Sequence, residues 1–168
     1  MNLLRNCLDE VSLLRLPSEY RGAIDDLREK FGHHIYVRER VSDERDYNCF
    51  AFALGIHQFP WFKELAHRHR PVVDSSMIGR MISEGMLELR PVVLDLYKDM
   101  VLYIGEDDAI KHAGRLSSDG GSIISKWGPG EIHEHHLWEV PASYGSQVQY
   151  SAIPTTDSVF EFLGRLYL

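Results

Sequence analysis

The sequence predicts an α+β fold in which helices pack on an antiparallel sheet of about four to five strands. Helix signals gather in the first half of the 168-residue chain, and strand signals gather in the second half. Segregation of this kind favours an antiparallel sheet over alternating β–α–β units. The length fits one domain over residues 1–168, and no repeat or linker divides the chain.

The predicted helical N-terminal segment covers residues 1–34. Leu3 and Leu8 belong to a set of apolar residues that share one helical face. Ser18 is predicted to cap a second helix, and Gly32 is predicted to end it.

A short strand and a buried helix follow. The strand is predicted at residues 35–37, and the helix covers the small apolar residues 48–54. Asn48 or Asp46 is predicted at the N-cap of this helix, since both residue types accept hydrogen bonds from free backbone N–H groups.

Segment 56–91 is less regular and contains one predicted helix, capped by Ser75 or Ser76. Four further strands and a short C-terminal helix complete the prediction. The strands lie at 100–104, 109–115, 122–127 and 147–153, and the helix lies at 157–168.

Charge and hydropathy limit the partners that we expect. The formal net charge of −7 repels phosphate backbones, so nucleic acid is a poor partner. No apolar run approaches the roughly 20 residues of a membrane helix, and no signal peptide is evident. We therefore expect a cytoplasmic protein, or one exported by a route that needs no signal peptide. The oligomeric state is not indicated.

Cys49 and His112 are the residues that predict chemistry. Cys49 opens the helix predicted at 48–54, where the helix N-terminus is expected to lower the thiol pKa. His112 lies on a later strand and is expected to act as the base for Cys49. The other cysteine, Cys7, is predicted to be a small buried hydrophobe without a disulfide partner.

The order of these motifs resembles the papain-like NlpC/P60 and CHAP group of cysteine hydrolases. The motifs are Asn-Cys-Phe-Ala-Phe-Ala-Leu-Gly at 48–55, His-Ala-Gly-Arg at 112–115 and Ser-Lys-Trp-Gly at 125–128. The resemblance covers roughly residues 46–153 and implies a papain-like fold with 56–91 as an insertion. It also implies cleavage of an amide bond in a peptide-like substrate, either a peptidoglycan peptide or a protein, through an acyl-thioester.

The third residue of the triad that the resemblance implies is open. Ser125 is one candidate to accept a hydrogen bond from the His112 ring, and His133 is another. A backbone carbonyl or a water could also serve. Trp127 could shield that bond or be ordinary core. Tyr47 and Asn48 could donate to an oxyanion, and for Asn48 the alternative is helix capping.

Neither a metal nor a cofactor is expected. The cluster at 133–136 contains three histidines, but its spacing differs from His-Glu-x-x-His and its neighbours point in different directions. Two further functions stay open beside the peptidase or amidase. One is a bacterial toxin or effector with deamidase or acyltransferase activity on a protein, and the other is a catalytically inactive papain-like binding module.

Overall fold

The computed structural model of the chain describes residues 3–39, 47–127 and 130–167. Its helices are α1 (Leu3–Val11), α2 (Pro17–Phe31), α3 (Cys49–Ala53), α4 (Pro60–Arg68), α5 (Ser75–Ser83) and α6 (Thr156–Tyr167). Its strands are β1 (Tyr36–Glu39), β2 (Asp99–Ile104), β3 (Ile110–Leu116), β4 (Ile123–Lys126), β5 (Ile132–His135) and β6 (Gln147–Ala152). These elements confirm the α+β class. Among the described helices, none is long and apolar enough to cross a membrane.

The strands form one antiparallel sheet in the order β1-β5-β4-β3-β2-β6. Strands β2 to β5 follow one another as neighbours, while β6 returns to β2 and β1 lies at the opposite edge. The described residues thus contain six strands where the sequence predicts four to five.

Strand β5 is the one that the sequence analysis misses. Its sequence, Ile-His-Glu-His, has no apolar alternation, so the pattern predicts no strand there. His133 and His135 nevertheless point inward and are fully buried. Two histidines of β5 thus take the positions that apolar residues usually hold, so the sequence pattern does not indicate this strand.

Two hydrophobic cores lie on opposite faces of the sheet, because successive side chains of a strand alternate between faces. Met100, Leu102 and Ile104 of β2 pack with helices α3 to α6 in the first core. Val101 and Tyr103 pack with α1 and α2 in the second core. The segment predicted as an insertion, 56–91, supplies α4 and α5 to the first core.

The ends of the helices test the predicted caps. Gly32 ends α2 in a left-handed conformation with φ of 66°, as predicted. Ser18 does not cap α2, because the helix already begins at Pro17. Helix α5 is capped by Asp74, whose carboxylate accepts from the Met77 N–H at 2.9 Å, so the predicted serine caps are wrong.

Candidate active site around Cys49

Cys49 is the first residue of α3, and Asn48 caps that helix. The Asn48 Oδ1 atom accepts hydrogen bonds from the N–H groups of Phe50 and Ala51, each at 3.1 Å. Its Nδ2 atom donates to the Val73 carbonyl at 2.6 Å. The capping interpretation of Asn48 is confirmed, whereas Asp46 lies outside the described residues. Donation from Asn48 to an oxyanion stays a prediction and would use the second Nδ2 hydrogen.

Strands β3 and β4 are paired over only part of their length. Their register pairs are Arg115 with Ile124 and Leu116 with Ile123, and the pairing stops there. Strand β3 continues its ladder with β2 as far as Ile110, and β4 continues its ladder with β5 as far as Lys126. The sheet therefore has an opening between the first half of β3 and the second half of β4.

The Cys49 thiol occupies this β3–β4 opening. Ser117 N–H donates to the Ser122 carbonyl at 2.9 Å, so alternate residues of β3 direct their backbone groups towards β4. Ala113 is one of these residues, and its N–H donates to the Cys49 sulfur. That N–H belongs to the peptide bond joining His112 to Ala113. The predicted nucleophile, Cys49, therefore accepts a hydrogen bond from the peptide bond that follows the predicted base, His112.

Burial determines the charge state of Cys49. Only 7% of the residue is exposed, and desolvation raises the thiol pKa to about 11. Hydrogen bonds from the Ala113, Phe50 and Cys49 N–H groups and the charge of Lys126 act in the opposite direction. The N–H groups at the helix start lower this pKa as expected, but desolvation is the larger effect, so the net shift is upward. At neutral pH the thiol is protonated.

His112 is buried beside the opening, with its ring in the second core. It lies opposite Tyr103 on β2 and stacks on Tyr144 with a centroid separation of 4.1 Å. Burial, and then the nearby His135 and His133, lower its pKa well below the usual range, so the imidazole is neutral. Its Nε2 atom has no hydrogen-bond partner, and no hydrogen bond joins it to Cys49.

Ser125 is held by other partners than His112, which corrects its predicted role. The His135 Nδ1 atom donates to the His136 carbonyl at 2.8 Å, which leaves His135 Nε2 as an acceptor. The Ser125 hydroxyl donates to this Nε2 atom at 2.8 Å, and Trp127 Nε1 donates to the same hydroxyl at 3.0 Å. The reason is the register of β4 and β5, which brings the Ser125 side chain into reach of His135.

His133 also has a different partner from the predicted one. Its Nε2 atom lies 2.7 Å from the Tyr20 hydroxyl, and its ring stacks on Trp127 at 4.2 Å. Its Nδ1 atom is buried and has no partner. Burial lowers the pKa of His133 to about 3 and that of His135 to about 4. Trp127 therefore covers His133 and Ser125 rather than a bond to His112.

Sequence reasoning passes over several residues near Cys49. The ring of Tyr47 stacks on His57 at 4.5 Å, and Lys126 Nζ lies 5.0 Å from the Tyr47 ring centroid. Lys126 is fully buried and donates to the Gly130 carbonyl at 2.7 Å. The sequence does indicate where Lys126 lies: it follows Ser125 on β4, and successive side chains of a strand lie on opposite faces of the sheet.

Potential metal ligands converge at one place among the described residues. His34, His136 and Glu139 bring one ligand atom each to within 4.8 Å of one another at the surface. The Glu139 carboxylate already accepts from the N–H groups of His34 and His136, at 2.9 and 3.0 Å. The cluster at 133–136 does not converge, because His133 and His135 are buried while His136 is exposed.

A family model described as a domain of unknown function (DUF7689) matches residues 39–152, more than half of the chain. The chain belongs to the DUF7689 family. The DUF7689 region ends with β6 and contains Cys49 and the β3–β4 opening, but it leaves out α1, α2 and α6. Tyr20 on α2 therefore reaches His133 from outside the DUF7689 region. No curated protein and no solved structure matches the chain.

Proposed function

We propose that the protein is a cysteine hydrolase that cleaves an amide bond, with Cys49 as nucleophile and His112 as base. The observation that carries this proposal is the position of the thiol in the β3–β4 opening, where it accepts the peptide N–H next to His112. A thiol at a helix start beside a histidine-bearing strand is the arrangement that nucleophilic thiol catalysis requires. The papain-like resemblance of the motifs supports the same reaction.

The protonation states favour general-base activation over a preformed ion pair. The thiol and the imidazole are both neutral, so His112 Nε2 accepts the thiol proton as sulfur forms its bond to the substrate carbonyl carbon. The imidazolium then protonates the leaving nitrogen, and the C–N bond breaks to leave a thioester. Water attacks the thioester, His112 takes a proton from that water and returns it to sulfur, and the acid leaves.

One movement is required before this chemistry. The His112 ring stacks on Tyr144, and its free Nε2 atom has to turn towards the opening to reach the thiol. Catalytic hydrogen bonds often form only when substrate is bound. Because Nε2 has no partner, this rotation breaks no hydrogen bond at that atom.

The substrate that the resemblance implies is peptide-like, either a peptidoglycan peptide or a protein. Hydrolysis, acyl transfer and deamidation all begin with attack of Cys49 on a carbonyl carbon. A protein-modifying effector would therefore use the same first step as a peptidase.

Acylation by p-nitrophenyl acetate tests this step. In a Cys7→Ala protein, Cys49 is the remaining thiol, so release of p-nitrophenol and an acetyl adduct found by mass spectrometry report on it alone. We expect His112→Ala to slow acylation about 10²-fold or more, the usual contribution of a general base. His33→Ala is the matched control, because His33 is also buried but bonds to the Ile24 carbonyl in α2.

A catalytically inactive binding module is the second candidate. It is favoured by the raised pKa of Cys49 and by the missing hydrogen bond to His112. Acylation of Cys49 that is no faster than acylation of Cys7 in a Cys49→Ala protein, and equal in the His112→Ala and His33→Ala proteins, would select this candidate and reject the hydrolase.

A further inference from the structure

Arg115 is a half-buried cation for which the described residues provide no counterpart. It forms no hydrogen bond and no ion pair with any of them, and desolvation lowers its pKa. Arg5 and Arg90, which are also withdrawn from solvent, behave differently. Arg5 donates to three backbone carbonyls, and Arg90 pairs with Asp99 at 2.6 Å. A guanidinium that loses water without gaining an acceptor is poised to bind an anion.

Arg115 lies on the strand whose backbone binds the nucleophile. Arg115 follows Ala113 by two residues on β3, so the two side chains share a face and lie about 7 Å apart. Ala113 provides the N–H that binds the Cys49 sulfur. The Arg115 guanidinium lies near the chain that follows α3, since a Cβ atom added to Gly55 would lie 3.6 Å from its Nη1 atom.

His57 lies near Arg115, whose charge acts on its ring. Its Nδ1 atom is buried and has no hydrogen-bond partner. Its ring stacks on Tyr47, two residues before Cys49. Burial is the main cause that lowers the His57 pKa, and the charges of Arg115 and other nearby cations lower it further. A hydrogen bond to the Ala51 carbonyl acts in the opposite direction. The imidazole is therefore neutral at neutral pH, and its single N–H is directed at Ala51.

We propose that Arg115 forms an anion-binding subsite near α3 that takes a carboxylate of the substrate bound at Cys49. A planar guanidinium matches a carboxylate through two parallel hydrogen bonds. The net charge of −7 disfavours polyanions, so a carboxylate is favoured over a phosphate dianion. Resting on the proposed function, the inference names the substrate class: amides that carry a carboxylate near the bond to be cleaved.

Two alkylating agents of almost equal size test the subsite. Iodoacetate carries a carboxylate and iodoacetamide a neutral amide, and both form an S–CH₂ bond and release iodide. Rates at Cys49 and Cys7 are measured separately by mass spectrometry at roughly pH 8.5, since alkylation uses the thiolate form. We expect the iodoacetate-to-iodoacetamide rate ratio to be about tenfold higher at Cys49 than at Cys7, because a nearby cation attracts the anionic reagent.

Two substitutions test whether Arg115 causes the higher rate ratio at Cys49. Arg115→Met keeps an unbranched stem and should lower the ratio at Cys49 to that at Cys7. Arg68→Met is the matched control, because it removes the same charge from an exposed surface pair with Glu64 and should leave the ratio unchanged. Equal ratios at the two cysteines of the unmodified protein, or a high ratio that survives Arg115→Met, would overturn the proposal.

Competition by small anions is measured in the unmodified protein, so this test does not depend on whether a variant folds. Sodium acetate should slow alkylation of Cys49 by iodoacetate but not alkylation of Cys7, compared with sodium chloride at equal ionic strength. Stronger protection by inorganic phosphate than by acetate would overturn the assignment to a carboxylate, and so would no protection by acetate. The iodoacetate-to-iodoacetamide rate ratio does not depend on His112. The experiments can therefore reject the subsite without rejecting the proposed hydrolase, and the reverse.

Discussion

At the scale of single residues, the pKa of Cys49 depends on which of several opposing effects is largest. The helix start, the Ala113 N–H and Lys126 favour a thiolate, but desolvation exceeds them and the pKa rises to about 11. The predicted nucleophile is therefore stored as a thiol beside a neutral His112. Attack by Cys49 then depends on proton transfer to His112 during the reaction rather than on a preformed thiolate.

The pH dependence of Cys49 alkylation follows from this state. In the Cys7→Ala protein, the rate of alkylation by iodoacetamide should rise about tenfold per unit between roughly pH 8 and pH 10, because the thiolate is the reactive form and its pKa lies higher still. The urea-unfolded protein provides the control, and its rate should level off near the ordinary thiol pKa. A plateau at or below neutral pH in the folded protein would indicate a standing thiolate and contradict this state.

At the scale of elements, α3 is short and depends on its cap. It spans five residues, and Asn48 satisfies two of its free N–H groups while also binding Val73. A helix of this length has little stability of its own, so the cap and the surrounding core hold it in place. The position of the Cys49 sulfur in the β3–β4 opening depends on the same contacts.

Removal of this cap should be measurable. We expect Asn48→Ala to lower the free energy of unfolding by about 1 to 2 kcal/mol, because two helix N–H groups and the Val73 carbonyl lose their partner. Asn48→Asp is the control, since its carboxylate still accepts from the helix and should retain most of that stability. Urea unfolding followed by circular dichroism measures both, and equal loss in the two variants would show that capping is not the cause.

Local signals predicted the elements that carry them. Gly32 as a helix end, Asn48 as a helix cap and strands β2, β3, β4 and β6 follow from residue type and periodicity. Strand β5 does not, because His133 and His135 are polar in sequence and become core only through Trp127 and Tyr20. The raised Cys49 pKa and the partners of Ser125 also require knowledge of which distant segments pack together.

At the scale of the whole molecule, the second core is built around buried imidazoles. His112, His133 and His135 lie on one face of the sheet and are all held neutral. Helices α1 and α2 close this face, and Arg5 of α1 donates to the carbonyls of Val140, Pro141 and Gly145. Helices α1 and α2, which lie outside the DUF7689 region, therefore cover the histidine layer.

This layer should make the fold sensitive to acid. The folded pKa of His133 is about 3, whereas an unfolded histidine titrates near 6.5, so the unfolded chain binds more protons between these values. Stability is therefore full above the unfolded pKa and falls as the pH drops, by about 2 kcal/mol per buried histidine at roughly pH 5. His133→Gln should reduce this loss of stability on acidification. Urea unfolding at a pH above the unfolded histidine pKa and at roughly pH 5 measures the loss.

His67→Gln is the control for this prediction, because His67 is exposed on α4 and should leave the acid sensitivity unchanged. An equal loss of stability on acidification in the unmodified, His133→Gln and His67→Gln proteins would show that the buried histidines do not determine it.

The β3–β4 opening gives the sheet a sulfur atom where a carbonyl oxygen of the neighbouring strand would normally be. The Ala113 amide proton is the atom that meets this sulfur. Alkylation, acylation or oxidation of Cys49 therefore changes the acceptor of a backbone hydrogen bond inside the sheet. The nitrogen-15 and proton resonances of a single amide thus report the chemical state of the thiol, and the scaffold itself becomes a spectroscopic sensor of the reaction.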